Sequence, residues 1–133
     1  MVLVDTNVIL DVIEEDPSWA DWSQEQLDHA AMNGALLINS VIYAELSIAF
    51  QRIEELEDML TQGGFIVESI PREALFLAGK AFLRYRRQQG VKRGVLPDFF
   101  IGAHASVLGI PLLTRDAGKY AGYFPQVTLI TPG

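Results

Sequence analysis

Cysteine is absent from the 133 residues. That excludes disulfides, a thiolate metal site and a cysteine nucleophile, and it is compatible with a reducing compartment. Histidine is scarce: His29 and His104 are the only two. His104 lies six residues after Asp98, off the same helix face, and both histidines read as structural. No apolar run is long enough to cross a bilayer, and no positively charged leader precedes the first apolar stretch. The expectation is a soluble, cytoplasmic protein without a membrane partner. Internal repeats, low-complexity segments and linkers are also missing, which leaves one domain over residues 1–133. Hydrophobic residues make up 50% of the chain, enough to exclude a disordered one.

Positive charge is scarce in one half only. Residues 1–71 hold 14 acids against one base, Arg52, and carry −13, whereas residues 72–133 hold nine bases against three acids and carry +6. The overall charge of −7 conceals this split. Five bases, Arg84, Arg86, Arg87, Lys92 and Arg93, fall close together. Such a cluster suits either a solvated helix end, where cations meet the negative end of the dipole, or a phosphate-contacting surface.

Short apolar runs alternate with helical patterns. Strands are expected at residues 1–5, 36–38, 65–67, 111–114 and 127–130. Val8, Ile9, Val12 and Ile13 recur at helical spacing, and residues 14–17 end that helix. Ser18 is the expected cap of a second helix ending near Asn33 and Gly34. Ser40 is expected to cap a helix over residues 41–50, largely buried because of Ala44, Leu46, Ile48 and Ala49. Further helices are expected over residues 53–62, stopped by Gly63 and Gly64, and from an N1 proline, Pro71, to about residue 89. A basic loop at 90–94, a helix from Pro97 to Gly109 and a short turn at 117–120 complete the pattern. The alternation predicts an α/β fold: a three-layer α/β/α sandwich around a central, mainly parallel five-stranded sheet.

Four acids stand out against this pattern. Asp5 and Asp116 each follow an apolar strand, and in open parallel sheets sites form beyond the carboxyl ends of the strands. The helix before the fourth strand runs back antiparallel to it, so Asp98 in its first turn faces the same edge. Glu45 lies about a turn inside a helix that also begins there. Four carboxylates at one rim repel each other, and a hard divalent cation with oxygen ligands relieves that. Without histidine or cysteine in the set, Mg²⁺ or Mn²⁺ fits better than Zn²⁺. Taken singly, each acid has a plain structural use; Asp98, for example, also suits a helix N-terminus.

The same residues resemble the motifs of PIN-domain nucleases. Val4-Asp5-Thr6-Asn7-Val8-Ile9-Leu10 resembles their first motif, and residues 40–46, with Glu45, the second. Residues 96–105, with Asp98, resemble the third, and Leu112-Leu113-Thr114-Arg115-Asp116 the fourth. The order is kept and the likeness spans nearly the whole chain, closest to VapC-type toxins of prokaryotic type II toxin–antitoxin modules. That resemblance implies a five-stranded parallel sheet and a Mg²⁺- or Mn²⁺-dependent endoribonuclease acting on cellular RNA. It also implies a homodimer and inhibition by a cognate antitoxin. Asp5, Glu45, Asp98 and Asp116 become the catalytic and metal-holding set. An antitoxin is expected to place an Arg or Lys near Asp5 and Asp98, with an apolar segment in a groove between the early helices. The acid-rich stretch 14–28 is expected away from RNA, or facing a partner.

Supporting roles are less specific. Thr114 would orient Asp116 or a metal-bound water, or simply suit a strand end. Asn7 would bond within the acid cluster or shape the turn. Arg115 would contact a substrate phosphate, offset the acids, or lie exposed in a loop. Asp11 and Glu14 read as solvated. Trp19, Trp22, Phe50, Phe99 and Phe100 read as core or interface packing, and Tyr120, Tyr123 and Phe124 as packing of the C-terminal segment. Two other functions compete: a non-catalytic PIN-like module binding RNA or protein, and an aspartyl phosphatase. The latter wants a second Asp two positions after the first, where this chain has Asn7.

Overall fold

β1 (Val2–Val4) is three apolar residues, all buried, and it takes the centre of a five-stranded sheet. A computed structural model describes residues 1–88 and 96–132. The expected basic loop at 90–94, with Lys92 and Arg93, and the expected helix end at residue 89 lie outside the described residues. The other strands are β2 (Leu36–Asn39), β3 (Phe65–Glu68), β4 (Leu112–Leu113) and β5 (Leu129–Ile130). Their order is β3-β2-β1-β4-β5 and every pairing is parallel. Leu3 pairs with Leu37 on one side and Leu112 on the other. A strand enclosed by neighbours and covered on both faces needs unbroken apolar sequence, as β1 has. β4 and β5 are each two residues long, shorter than the four expected from the apolar runs.

Among the described residues six helices connect the strands: α1 (Thr6–Ile13), α2 (Ala20–Asn33), α3 (Ser40–Ser47), α4 (Ile53–Gly63), α5 (Arg72–Arg87) and α6 (Leu96–Leu108). Strand order moves one way from β1 to β3, then reverses to β4. With right-handed crossovers, α1 to α4 cover one face and α5 and α6 the other, which is the expected three-layer sandwich. Val8, Ile9, Leu46, Leu56, Ile101 and Phe99 are buried from the two helical layers. Gly102 of α6 sits flat against the Phe124 ring; a Cβ there would meet the ring at 2.4 Å. Gly64, at φ 73°, ends α4 in the left-handed conformation expected of a helix-stopping glycine.

Several boundaries differ from expectation because a side chain outcompetes its neighbour. Asn39, not Ser40, caps α3: its Oδ1 accepts from the Ile42 N–H at 3.0 Å. Ser18 does not cap α2. Asp16 Oδ1 instead accepts from the Ser18 and Trp19 N–H groups at 2.8 and 2.9 Å. Pro71 is extended, at ψ 155°, and stands before the first helical residue rather than in it. α3 is shorter than expected and half-exposed: Leu46 is buried, while Ala44, Ile48 and Ala49 face outward.

Candidate active site

Asp5 is the most enclosed of the four acids, at 2% exposure. Its backbone leaves β1 extended and its own N–H donates to the Leu113 carbonyl at 2.9 Å. Three donors then hold its carboxylate. Thr6 N–H donates to Oδ1 at 2.8 Å, while the Thr114 hydroxyl and the Tyr120 phenol each donate to Oδ2 at 2.8 Å. Charged acceptors in a buried setting need such partners, because lost hydration is otherwise uncompensated. Burial first, then the charge of Asp5, pushes the Tyr120 phenol above its ordinary value, so it remains a donor.

Thr114 is the hub between the first and fourth acids. Its hydroxyl is spent on Asp5, and its oxygen accepts from the Asp116 N–H at 3.1 Å and, at a long 3.5 Å, from Asn7 Nδ2. Asn7 Oδ1 accepts from the Arg115 N–H at 3.2 Å. Asn7 and Thr114 thus tie the start of α1 to the turn after β4, and Asn7 itself bonds Thr114 and the Arg115 backbone rather than an acid. Asp116 itself is exposed, at the mouth of the site.

Glu45 reaches the same edge from α3, where its Oε1 accepts from the Thr6 hydroxyl at 2.6 Å. Asn39 and His104 set that helix against α6. Asn39 Nδ2 stands 3.1 Å from His104 Nδ1, and its Oδ1 is already used by the Ile42 N–H. Asn39 therefore donates, His104 Nδ1 accepts, and the ring proton sits on Nε2. Burial pushes the His104 pKa down, against the charge of Glu68, so the ring is neutral. This agrees with a structural histidine. His29 is exposed on α2.

Asp98 opens α6. Its carboxyl is pushed up to about 6, first by burial, with the charges of Asp5, Glu45 and Asp116 adding and Lys119 opposing. The Lys119 ammonium lies 3.7 Å from Asp98 Oδ1. The charges of the other three predicted acids are thus all felt at Asp98, at the edge where the strand order reverses between β1 and β4. Their oxygen-only chemistry fits a hard cation, but they are not closed into a cage. Among the described residues no three His, Asp or Glu side chains stand in metal-holding geometry. Asp5 and Glu45 are each engaged by a protein donor instead, and Asp98 forms a long ion pair with Lys119.

A pH effect follows for the metal-free protein. Between about 3.8 and about 6 the folded chain holds a proton on Asp98 that the unfolded chain has lost. The folded state binds more protons there, so this group's contribution falls as pH rises through the window and is flat above it. In EDTA, the Tm gain of Asp98→Asn over the unaltered protein is expected to grow from near zero at pH 4 to a few degrees at pH 7. A Tm difference independent of pH would refute this.

Arg115 and Asp11 overturn their simple readings. Asp11 is not solvated but 3% exposed. Arg115 grips it with two bonds, Nε to Oδ2 at 2.6 Å and Nη2 to Oδ1 at 3.0 Å. The Ser23 hydroxyl adds a third at 2.7 Å, and the guanidinium lies 5.1 Å from the Trp19 ring centre. Arg115 is therefore a brace between the β4 loop and the α1–α2 pair, not a loose loop cation. Tyr120, Thr6 and Lys119 were missed as site residues. Tyr120 carried a signal, since a buried tyrosine needs a partner for its hydroxyl. Lys119 is the last charged residue of the chain and, after Arg115, the next base beyond the fourth strand.

A parallel sheet that brings four carboxylates and one ammonium to its switch point defines an α/β protein with an acidic crevice. The sequence model of the PIN domain matches residues 2–122, and the chain belongs to that family. No curated protein matches it. Among solved structures it is similar to VapBC2 from Rickettsia felis bound to a promoter DNA fragment, with a TM-score of 0.76, 19% identity and full coverage of both chains. A toxin–antitoxin complex from Klebsiella pneumoniae gives 0.68 at 22% identity, over 100% of this chain and 98% of that one. VapBC-1 from nontypeable Haemophilus influenzae gives 0.72 at 18%, over 98% of each.

Proposed function

We propose that the chain is a Mg²⁺- or Mn²⁺-dependent endoribonuclease, acting as a toxin on cellular RNA under the control of an antitoxin. The carrying observation is Asp98, whose carboxyl is pushed up to about 6 by burial and by Asp5, Glu45 and Asp116 together. Four carboxylates against one ammonium, Lys119, leave that edge an excess of negative charge that a cation would offset. Asp5, Asp98 and Asp116 would hold it and Glu45 would complete the set. When bound, a divalent ion supplies Lewis acidity toward a phosphoryl oxygen and an attacking water. The protein's own part is positional: Thr114 and Tyr120 fix Asp5, Thr6 fixes Glu45, and Thr114 anchors the backbone of Asp116.

The test is cleavage of single-stranded RNA by the purified protein with Mg²⁺ or Mn²⁺ and with EDTA, beside a direct Mn²⁺ titration. Cleavage that survives EDTA overturns the metal-dependent reading. The open arrangement of the acids favours one rival, a PIN-like module that binds without cutting. Absence of both Mn²⁺ binding and cleavage would favour it. Asn7, bonded to Thr114 and Arg115, leaves an aspartyl phosphatase without its second acid.

For the antitoxin, the solved structures above are support by likeness of fold, and the surface supplies a place. A groove of about 690 Å³ runs between α1, α2 and α4, lined by Ile9, Val12, Ile13, Leu27, Met59 and Phe65. An apolar segment of the antitoxin would fill it, with an Arg or Lys reaching Asp5 and Asp98. A complex with the partner seated elsewhere would defeat this. A homodimer is part of the same reading, with Leu75, Phe76 and Leu83 as an exposed apolar face on α5. Among the described residues no helix is long and apolar enough to cross a membrane.

A further inference from the structure

Beside the acids lies a second, smaller crevice of about 360 Å³. Asp98, Asp116 and Lys119 line it together with the aromatic residues Tyr85, Phe99 and Tyr123. Tyr123 meets Phe99 edge-to-face, with ring centres 5.1 Å apart, and meets Tyr85 at 6.1 Å. Phe99 is itself buried in the core, so this wall is an outcrop of the hydrophobic interior. The Tyr123 hydroxyl donates to Gln88 Oε1 at 2.8 Å, and the Arg84 guanidinium stands 4.9 Å from the Tyr123 ring centre.

The cation lining the crevice is held loosely. Lys119 Nζ is 3.7 Å from Asp98 Oδ1, beyond the roughly 2.7–2.9 Å of a charge-assisted hydrogen bond. Its side chain is 36% exposed. An ammonium in that position can leave one acid for a phosphate without breaking a short hydrogen bond to it. The crevice also belongs to the basic half of the chain, residues 72–133. Its volume is near the lower end for ligand pockets, about 300 Å³, which suits one nucleotide and is too small for a duplex. Aromatic walls beside cations are how proteins take unpaired bases and their phosphates.

We propose that this crevice is a nucleotide subsite for single-stranded RNA. It receives the base of one nucleotide next to the scissile phosphate against Tyr123 and Tyr85, while Lys119 moves from Asp98 to that nucleotide's phosphate. The proposal rests on the nuclease reading and adds to it the residues that select where the strand is cut.

The test uses the unaltered protein with Mn²⁺ and a pool of single-stranded RNA of random sequence, with the new ends read by sequencing. The unaltered protein is expected to show a base preference at one position flanking the cut. Tyr123→Leu is expected to flatten that position alone and to raise KM about 5–50-fold. Lys119→Met is expected to raise KM and to reduce the steepness of log kcat/KM against log salt by about 0.7, the share of one phosphate contact on a single strand. Should Tyr123→Leu fail to fold, as a melt would reveal, Lys119→Met alters only a half-exposed side chain and decides the matter alone. Unchanged preference and KM in folded Tyr123→Leu, or an unchanged salt slope in Lys119→Met, overturns the subsite. An unaltered protein that cuts nothing removes the nuclease reading first, and the subsite with it.

Discussion

Asp116→Asn is expected to lower RNA cleavage by about 10²–10³-fold while leaving the Tm nearly where it was. The separation of the two effects comes from the surroundings of this acid. Asp116 is exposed, and its side chain caps no backbone group of the turn it begins. Removing its charge therefore costs the fold little, while the proposed metal site would lose one carboxylate at its mouth. Asp98→Asn is expected to be equally inactive. Asp5 is a harder position to test. Asp5→Ala would also abolish cleavage, but it leaves the Thr114 and Tyr120 hydroxyls buried without an acceptor, at about 1–3 kcal/mol each. Asp5→Asn keeps an oxygen in place and is the cleaner variant. Cleavage rates under saturating Mn²⁺, beside thermal melts, separate the cases. An Asp116→Asn protein with full activity would expel that acid from the site.

The second large effect falls on stability. Arg115→Met is expected to destabilise the protein by about 3 kcal/mol and lower its Tm by about 10 °C. The physical cause is Asp11, whose side chain is 4% exposed and would be left charged without its partner. The lower end of the usual range applies because the arginine is 28% exposed and part of the pair remains hydrated. Asp11→Asn added to Arg115→Met should recover much of the loss, because it removes the stranded charge. The same melts decide between the two roles of Arg115. A protein that melts normally but has lost RNA affinity would mean that Arg115 serves the substrate and not the brace.

Sequence reasoning recovered the frame of the site well because the frame is topological. Asp5 and Asp116 follow adjacent parallel strands, and the order of helices and strands brings Asp98 and Glu45 to the same edge. None of this required a distance. What was not legible was the identity of the hydrogen-bond partners. Thr6 follows Asp5 directly and Tyr120 comes four residues after Asp116, yet their acceptors, Glu45 and Asp5, are assigned only once α3 and the turn after β4 lie against the end of β1. Asp11 read as solvated because one face of α1 was judged without α2, whose Ser23 and Trp19 close over the Arg115 pair. The burial of α3 was overstated for a related reason. Its apolar residues outnumber what a short helix at the sheet's edge can cover, so Ile48 and Ala49 remain outside. Asn39 took the cap expected of Ser40 because it holds the buried His104 at the same time.

The central position of β1 has a consequence in time as well as in space. The hydrogen bond from Tyr120 to Asp5 spans 115 residues, and the Thr114 bond to the same carboxylate spans 109. During synthesis Asp5 emerges 109 residues ahead of Thr114 and 115 ahead of Tyr120, the two hydroxyls that fix it. Contacts so distant along the chain form late in folding. A nascent chain therefore carries the first acid long before it carries the two hydroxyls that hold it in place.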